Sequence, residues 1–482
     1  MTDLQAVCRE PAVEIRRRLW TREVSVTELT AAHLSVIERH NPSVNAIVTL
    51  LADEALAAAA AADEALARGA PVGPLHGLVI VHKDTTETAG IRTTFGSPAF
   101  ANHVPEHSAI VIERLQRAGA ITVGKSNVPE WGAGSNCVNP VFGASRNPYG
   151  TSLTPGGSSG GAAAALACGM VALADGSDMG GSLRIPASFC NVVGLRPSPG
   201  RVPSWPVLLP WDPLSVYGPM GRTVADVSLM LSAVAGPDAR SPISLEVPGE
   251  AFAEPPERDW RGVRVAWSPT LGGLPVESEV TDALVDARDA LAGLGLEVVD
   301  AEPDFAGARE AFMTWRAWSF EARLGDLARS RPELVGENVR WNVEQGRALT
   351  GDDLIRAERA RGELYHRLRA FLDKFEMLLA PVCQVTPFPY EVDHPLTVEG
   401  TAMTTYIDWM QSCWCVSAAG LPAISVPGGF TASGLPVGLQ MIGRPRDDLG
   451  VLSLAQAFER VTEHWRRRPP LMDGNTASPS PG

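Results

Sequence analysis

Lysine is almost missing from this chain: of 41 basic residues only Lys83, Lys125 and Lys374 are lysine, and the rest are arginine. Coding bias accounts for the scarcity without any chemistry. A lysine kept against that bias can still do what arginine cannot, because an ammonium sheds its proton when desolvated and a guanidinium does not. Positive charge as a whole is in deficit, with 55 acidic residues and a net charge of -14. That argues against nucleic-acid binding, where phosphate recognition needs clustered cations, and the short run Arg466-Arg467-Arg468 does not change it. The seven cysteines are odd in number and contain no Cys-x-x-Cys pair, so neither a disulfide framework nor a zinc ribbon is indicated. No uninterrupted apolar run reaches 18 residues, which argues against a spanning helix. Met1-Thr2-Asp3-Leu4 lacks the basic start and apolar stretch of a secretory signal. The expectation is a soluble, cytoplasmic protein with no membrane or nucleic-acid partner.

What is present is organised around Thr154 to Pro197. A glycine-serine turn, Gly156-Gly157-Ser158-Ser159-Gly160-Gly161, precedes an alanine run and then Asp178-Met179-Gly180-Gly181-Ser182-Leu183-Arg184. Glycine beside a hydroxyl lets backbone N–H groups approach a substrate closely and permits dihedrals that a side chain forbids. A single serine-glycine cluster reads most simply as a linker. The second cluster does not, because Asp178 and Arg184 bracket it and apolar Leu183, Ile185, Phe189, Val192 and Val193 follow at once.

Upstream, Ser25-Val26-Thr27-Glu28 fits a capping box ahead of a helix that Asn41-Pro42 should end. Ala52 to Arg68 reads as a second helix. Leu78 to Val81 has the composition of a buried strand, and Lys83-Asp84 stands at its end, where ligands gather in α/β sheets. A helix from about Ser108 to Ala118 leads to the strand Ala120 to Val123. Gly119 to Ser126 matches the phosphate-loop pattern by letter, but its middle residues are strand formers and Pro129 obstructs the required helix. Gly161 to Met170 should be helical, and Val171 to Ala174 a strand. Strand, helix and strand are expected at Val263 to Trp267, Glu277 to Leu291 and Val298-Val299, followed by a long helical stretch from Ala308 to Asp373.

Histidine is the usual base for a serine nucleophile, yet none of the nine has a recognisable serine-hydrolase context. Two Gly-x-Ser-x-Gly matches, from Gly156 and from Gly157, lack the strand that should precede them. His76, His82, His103 and His107 invite a metal reading, which Pro105 between the last two spoils for helical ligand spacing. No metal and no cofactor is expected.

The motifs Gly-Gly-Ser-Ser-Gly-Gly, Gly-Ser-Asp-Met-Gly-Gly-Ser-Leu-Arg, Pro186-Ala187 and Gly194-Leu195-Arg196-Pro197 closely resemble the amidase signature family of Ser-Ser-Lys hydrolases. Gly124-Lys125-Ser126-Asn127 and the closing Leu421 to Pro427 and Gly434 to Gly443 extend the resemblance over nearly the whole chain. It implies an α/β amidase signature fold, a central mixed β-sheet covered by helices on both faces. Residues 1–472 would form a single domain, with core motifs at about 70–235 and 375–460, a family-variable helical region at about 240–375, and a disordered tail at 473–482. It further implies Ser182 as nucleophile, Ser158 as proton relay after a cis peptide bond with Gly157, and Lys83 as neutral base. The oxyanion hole would comprise the N–H groups of Met179, Gly180, Gly181 and Ser182, with Asp178 and Arg184 paired to hold the turn. Trp131, Gly157, Trp205 and Trp211 are candidate substrate-binding residues, and Phe142, Trp409 and Trp414 fall in similar loops. The expected partner is a small hydrophobic or aryl amide, with carbamates and esters as further substrates, and the chain a monomer or homodimer. The transamidating subunit of an aminoacyl-tRNA amidotransferase shares these motifs and stays open as an alternative. An inactive scaffold, the third reading, would be free to lose Lys83, Ser158 or Ser182.

Overall fold

The computed structural model describes residues 3–473. Its centre is a mixed sheet, eleven-stranded among the described residues, flanked by helices. One half follows the short β-branched runs. Val79–Lys83 lies parallel to Ile121–Ser126 on one side and to Leu173–Asp178 on the other. Every residue of Val79–Lys83 is buried, as a strand covered on both faces requires. Ile47–Leu50 closes that edge antiparallel to Ile121–Ser126. From Leu173–Asp178 the sheet continues antiparallel through Val216–Gly221, Val193–Arg196, Ala423–Phe430 and Pro436–Ile442. It then passes to Leu378–Pro381, Arg264–Trp267 and Glu297–Asp300, the last three parallel to one another.

Helix boundaries follow local chemistry. The Ser25–Glu28 capping box opens Val26–Val44, and a second box, Thr223 with Asp226, opens Val224–Val234. Pro42 does not end the first helix as expected. The helix runs one residue pair past it and stops where Asn45 turns left-handed, its N–H bonded to the Asn41 carbonyl at 2.7 Å. Asn41 also accepts from the N–H groups of Ala46 and Ile47, so the side chains, rather than the proline, set the stop. The stretch from Glu277 splits into Ser278–Asp282 and Val285–Gly293. The long helical stretch is three helices, Ala308–Ser330, Glu337–Ala348 and Gly351–Leu372.

Two shifts matter for the site. The strand placed at Val171 to Ala174 instead begins at Leu173 and runs to Asp178, so Gly176-Ser177 are strand residues and Asp178 stands at the strand end. Gly124-Lys125-Ser126 lies inside a strand and forms no phosphate loop. Asp473 closes the turn Pro470–Asp473, and the rest of the expected tail falls outside the described residues. No helix among the described residues is long and apolar enough to cross a membrane. All seven cysteines are buried and unpaired.

Candidate active site

Lys83 ends a central strand with no solvent exposure. Its Nζ lies 2.7 Å from Ser158 Oγ, 3.0 Å from Ser177 Oγ and 3.3 Å from the Ser177 carbonyl oxygen. Burial disfavours the ammonium and pushes its pKa down to about 7, although Asp178, Cys137 and Asp175 pull the other way. Behind it, His82 Nδ1 is 2.6 Å from Asp175 Oδ1, and the other Asp175 oxygen accepts from the Thr86 hydroxyl at 3.0 Å. These contacts fix the strand end from the side away from the serines.

Ser158 follows the cis peptide bond from Gly157 and precedes the helix Gly160–Ala167. As the residues ahead of it imply, no strand leads into this turn, so it is not a strand-turn-helix elbow. The Ser159 N–H donates to the Ser182 carbonyl at 3.2 Å, which ties the two serine turns together. Ser158 and Ser182 are 3% and 7% exposed, and both face one cavity of about 420 Å³.

The second turn is held by a single carboxylate. Asp178 pairs with Arg184 at 2.9 Å and with Arg196 at 3.2 Å, all three fully buried. Burial opposes its charge, but the two guanidinium groups outweigh that and hold its carboxyl well below the usual range. Its oxygens also accept from the N–H of Gly181 at 2.9 Å and of Leu183 at 3.2 Å. The Gly181 N–H is therefore spoken for, and Gly181 does not line the cavity, whereas Met179, Gly180 and Ser182 do. This corrects the four-donor expectation, because the carboxylate that shapes the turn takes one of the donors. Gly181 has φ +117°, and a Cβ there would lie 2.6 Å from Cys413 Cβ and 2.7 Å from Ile185 Cδ1, so geometry and space both demand glycine.

Of the expected aromatics, only Trp131 reaches the cavity, stacked on Phe95 at 4.5 Å. The adjoining Gly132 comes so close that a Cβ there would stand 3.2 Å from Ser158 Oγ. Trp205 and Trp211 do not line the cavity. Trp205 packs under Arg240 and beside His107, and Trp211 is 71% exposed, although their neighbours Pro206 and Pro210 line the cavity. Between the two tryptophans, Pro206, Val207, Leu208, Leu209 and Pro210 line the cavity instead. Trp409 and Trp414 are core residues stacked on Phe189 and Phe312. Phe142 lies beneath Arg92. Gly157 packs against the Ser135 backbone.

Residues not singled out from sequence complete the surroundings. Ser177 binds Lys83 and belongs to the motif around Asp178, so its proximity was there to be read. Phe95 and Phe100 supply cavity wall, as do Arg316, Phe320 and Leu324 of the Ala308–Ser330 helix. That helix lies in the region read as family-variable, which carried no motif to flag it.

The large mixed sheet, with a buried lysine at one strand end bonded to a cavity-facing serine, is that of an amide-hydrolysing enzyme. The chain belongs to the amidase signature family, the Amidase family model matching residues 28–452. It is 35% identical to an acylamidase of Rhodococcus erythropolis, over 95% of this chain and 96% of that one. It is also 35% identical to a glutamyl-tRNA(Gln) amidotransferase subunit of Synechococcus sp. (strain CC9605), over 94% and 96% of the respective chains. The solved structure of a bacterial aryl acylamidase of the amidase signature family superposes with a TM-score of 0.88 at 27% identity, covering 98% of this chain and 99% of that one.

Proposed function

We propose that the chain hydrolyses hydrophobic and aryl amides through an acyl-enzyme on Ser182, with Ser158 as relay and Lys83 as base. The observation that carries this is the 2.7 Å contact between Ser158 Oγ and a fully buried Lys83 Nζ whose pKa is brought down to about 7. A neutral amine has two N–H donors and one lone pair. The two Ser177 oxygens accept the donors, leaving the lone pair to accept from the Ser158 hydroxyl.

In acylation Ser182 Oγ bonds to the substrate carbonyl carbon, its proton passes to Ser158 Oγ, and the Ser158 proton passes to Lys83 Nζ. The carbonyl oxygen becomes an oxyanion held by the N–H groups of Met179, Gly180 and Ser182, a class of interaction in which each donor contributes about 3 kcal/mol. On collapse the C–N bond breaks, and the proton returns from Lys83 through Ser158 to the departing amine. Water then repeats the sequence on the ester, releasing the acid and restoring Ser182. Carbamates and esters offer the same carbonyl and serve as further substrates. Phe95, Phe100, Trp131, Phe320 and Leu324 give the cavity apolar walls suited to aryl groups. The motif-bearing core and the helical region act as one unit from residue 1 to 472, since both line this cavity. Seven unpaired, buried cysteines fit a reducing, cytoplasmic setting, and the enzyme acts as a monomer or homodimer without cofactor.

Intact-mass analysis after a fluorophosphonate tests the assignment. One adduct is expected on the native protein and none on Ser182→Ala; an adduct that persists in the variant removes the nucleophile. The 35% identity to a tRNA-dependent amidotransferase component favours a second reading, in which the chain is one member of a transamidating assembly. Turnover of a chromogenic anilide by the purified chain alone decides for the first.

A further inference from the structure

The wall contributed by the Ala308–Ser330 helix carries charge that an apolar-amide pocket does not need. Arg316, Ser319, Phe320, Arg323 and Leu324 all line the cavity, and their three-, four- and seven-residue spacing puts them on one side of the helix. Arg316 is 4% exposed, and each of its hydrogen-bond acceptors is neutral. Nε donates to Asn342 Oδ1 at 3.0 Å, Nη2 to the Tyr406 hydroxyl at 2.6 Å, and Nη1 to Met179 Sδ at 3.3 Å. The Phe320 and Tyr406 rings stand 4.7 and 5.8 Å from its centre, which attracts the cation without neutralising it. A guanidinium has five N–H groups and thioether sulfur is a weak acceptor, so its donor capacity is unfilled. Among the described residues no carboxylate pairs with it.

A buried charge is unfavourable unless paired, and a lone guanidinium lining a substrate cavity presents half of a bidentate carboxylate contact. Arg323 lies two turns along the same face, about 10 Å by helical rise. Its side chain keeps accessible surface although burial of the surrounding site is the main cause that lowers its pKa, with Tyr217 and Asp212 acting to raise it and Arg316 to lower it; among the described residues it makes no hydrogen bond or ion pair. The acidic residues of the cavity, Glu87 and Asp212, form no ion pair with either arginine.

Resting on the hydrolase reading above, we infer that the preferred substrate is an amide bearing a carboxylate, received by Arg316, with Arg323 drawing the anion in at the mouth. Arg316 is thus a specificity determinant placed beside Met179 at the start of the oxyanion turn. An arginine that only ties the helix to Asn342 and Tyr406 would affect charged and neutral amides alike.

Two isosteric pairs separate these roles and locate the charge. On the acyl side, succinyl-4-nitroanilide is compared with 4-methylpentanoyl-4-nitroanilide; on the amine side, N-acetyl-4-aminobenzoate with N-acetyl-4-isopropylaniline. In one pair the native enzyme should favour the carboxylate in kcat/KM by about 10-fold or more, the range of a charge-assisted hydrogen bond. Arg316→Met should bring that ratio to one or below, Arg316→Lys should keep part of it, and Arg323→Met should reduce it chiefly through KM. Because each ratio is internal to one variant, partial loss of activity does not obscure it. Turnover of the neutral members with no carboxylate preference, or a preference unchanged in both Met variants, overturns the inference and leaves the hydrolase reading standing. Turnover of no amide in either pair overturns both.

Discussion

If Lys83 is the neutral base, replacing it removes activity and changes the pH dependence of both rate and stability. With its pKa at about 7, half of the lysine is neutral at pH 7, and kcat/KM on a chromogenic anilide should level off above about pH 8. At pH 5.5 it should stand ~30-fold below that plateau, one decade per pH unit below the pKa. A lysine at its ordinary 10.5 would instead give a rate still climbing at pH 9. Lys83→Met and Lys83→Arg should both be inactive, the second because its guanidinium keeps its proton. The stability consequence has a definite sign. Between pH 7 and 10.5 the unfolded chain binds a proton that the folded chain lacks, so stability contributed at this position is present above 10.5 and lost as pH falls to 7. The displacement corresponds to ~5 kcal/mol. Lys83→Met removes that penalty but strands the Ser158 and Ser177 hydroxyls, at about 1–3 kcal/mol apiece for buried groups left unpaired. The net at pH 6 falls between a gain of ~3 and a loss of ~1 kcal/mol, and Lys83→Met should lose stability relative to the native protein as pH rises toward 10, read by chemical denaturation. A pH-independent rate from 6 to 9, an active Lys83→Arg, or a Lys83→Met variant destabilised most at acid pH would refute the reasoning.

Asp178→Asn leaves Arg184 and Arg196 buried without a counter-charge and should lower stability by about 3–5 kcal/mol, read as a fall in denaturation midpoint. Gly181→Ala drives a methyl into Cys413 and Ile185 and should lower kcat by ~100-fold or more through a displaced oxyanion turn, with KM changed far less. Trp131→Ala should raise KM for aryl amides by roughly 10-fold through loss of an aromatic wall, whereas Trp211→Ala, at an exposed ring, should leave both constants within twofold; the reverse order would reinstate Trp211 as a pocket residue.

Which parts were legible in the sequence follows from how local each is. Lys83 ends a β-branched run that announces a strand end, and Ser158 and Ser182 sit in short glycine-bearing turns, whereas Ser177, one residue before Asp178 in the same motif, was not singled out. The sheet's motif-bearing strands were legible for the same reason, although Leu173–Asp178 extended further than its apolar residues alone implied. The cavity wall was not, because it is made by chain segments more than a hundred residues apart. Trp205 and Trp211 shared a loop with true lining residues, and nothing local told which way their rings would turn. Arg316 was one arginine among many, and only its neighbours Asn342 and Tyr406, brought by other elements, reveal that it has no anion to pair with. The engagement of the Gly181 N–H likewise depends on the direction in which the Asp178 carboxylate folds back over its own turn.

The proposed base comes from a strand in the middle of the sheet, while the arginines of the cavity wall come from one separate helix, Ala308–Ser330. On the proposed assignment, bond-breaking and charge selection are encoded in separate stretches of the gene. Drift in that helix could retune the accepted compounds without disturbing proton transfer, and a chimera carrying a relative's helix should inherit the donor's preferences while keeping the recipient's pH profile.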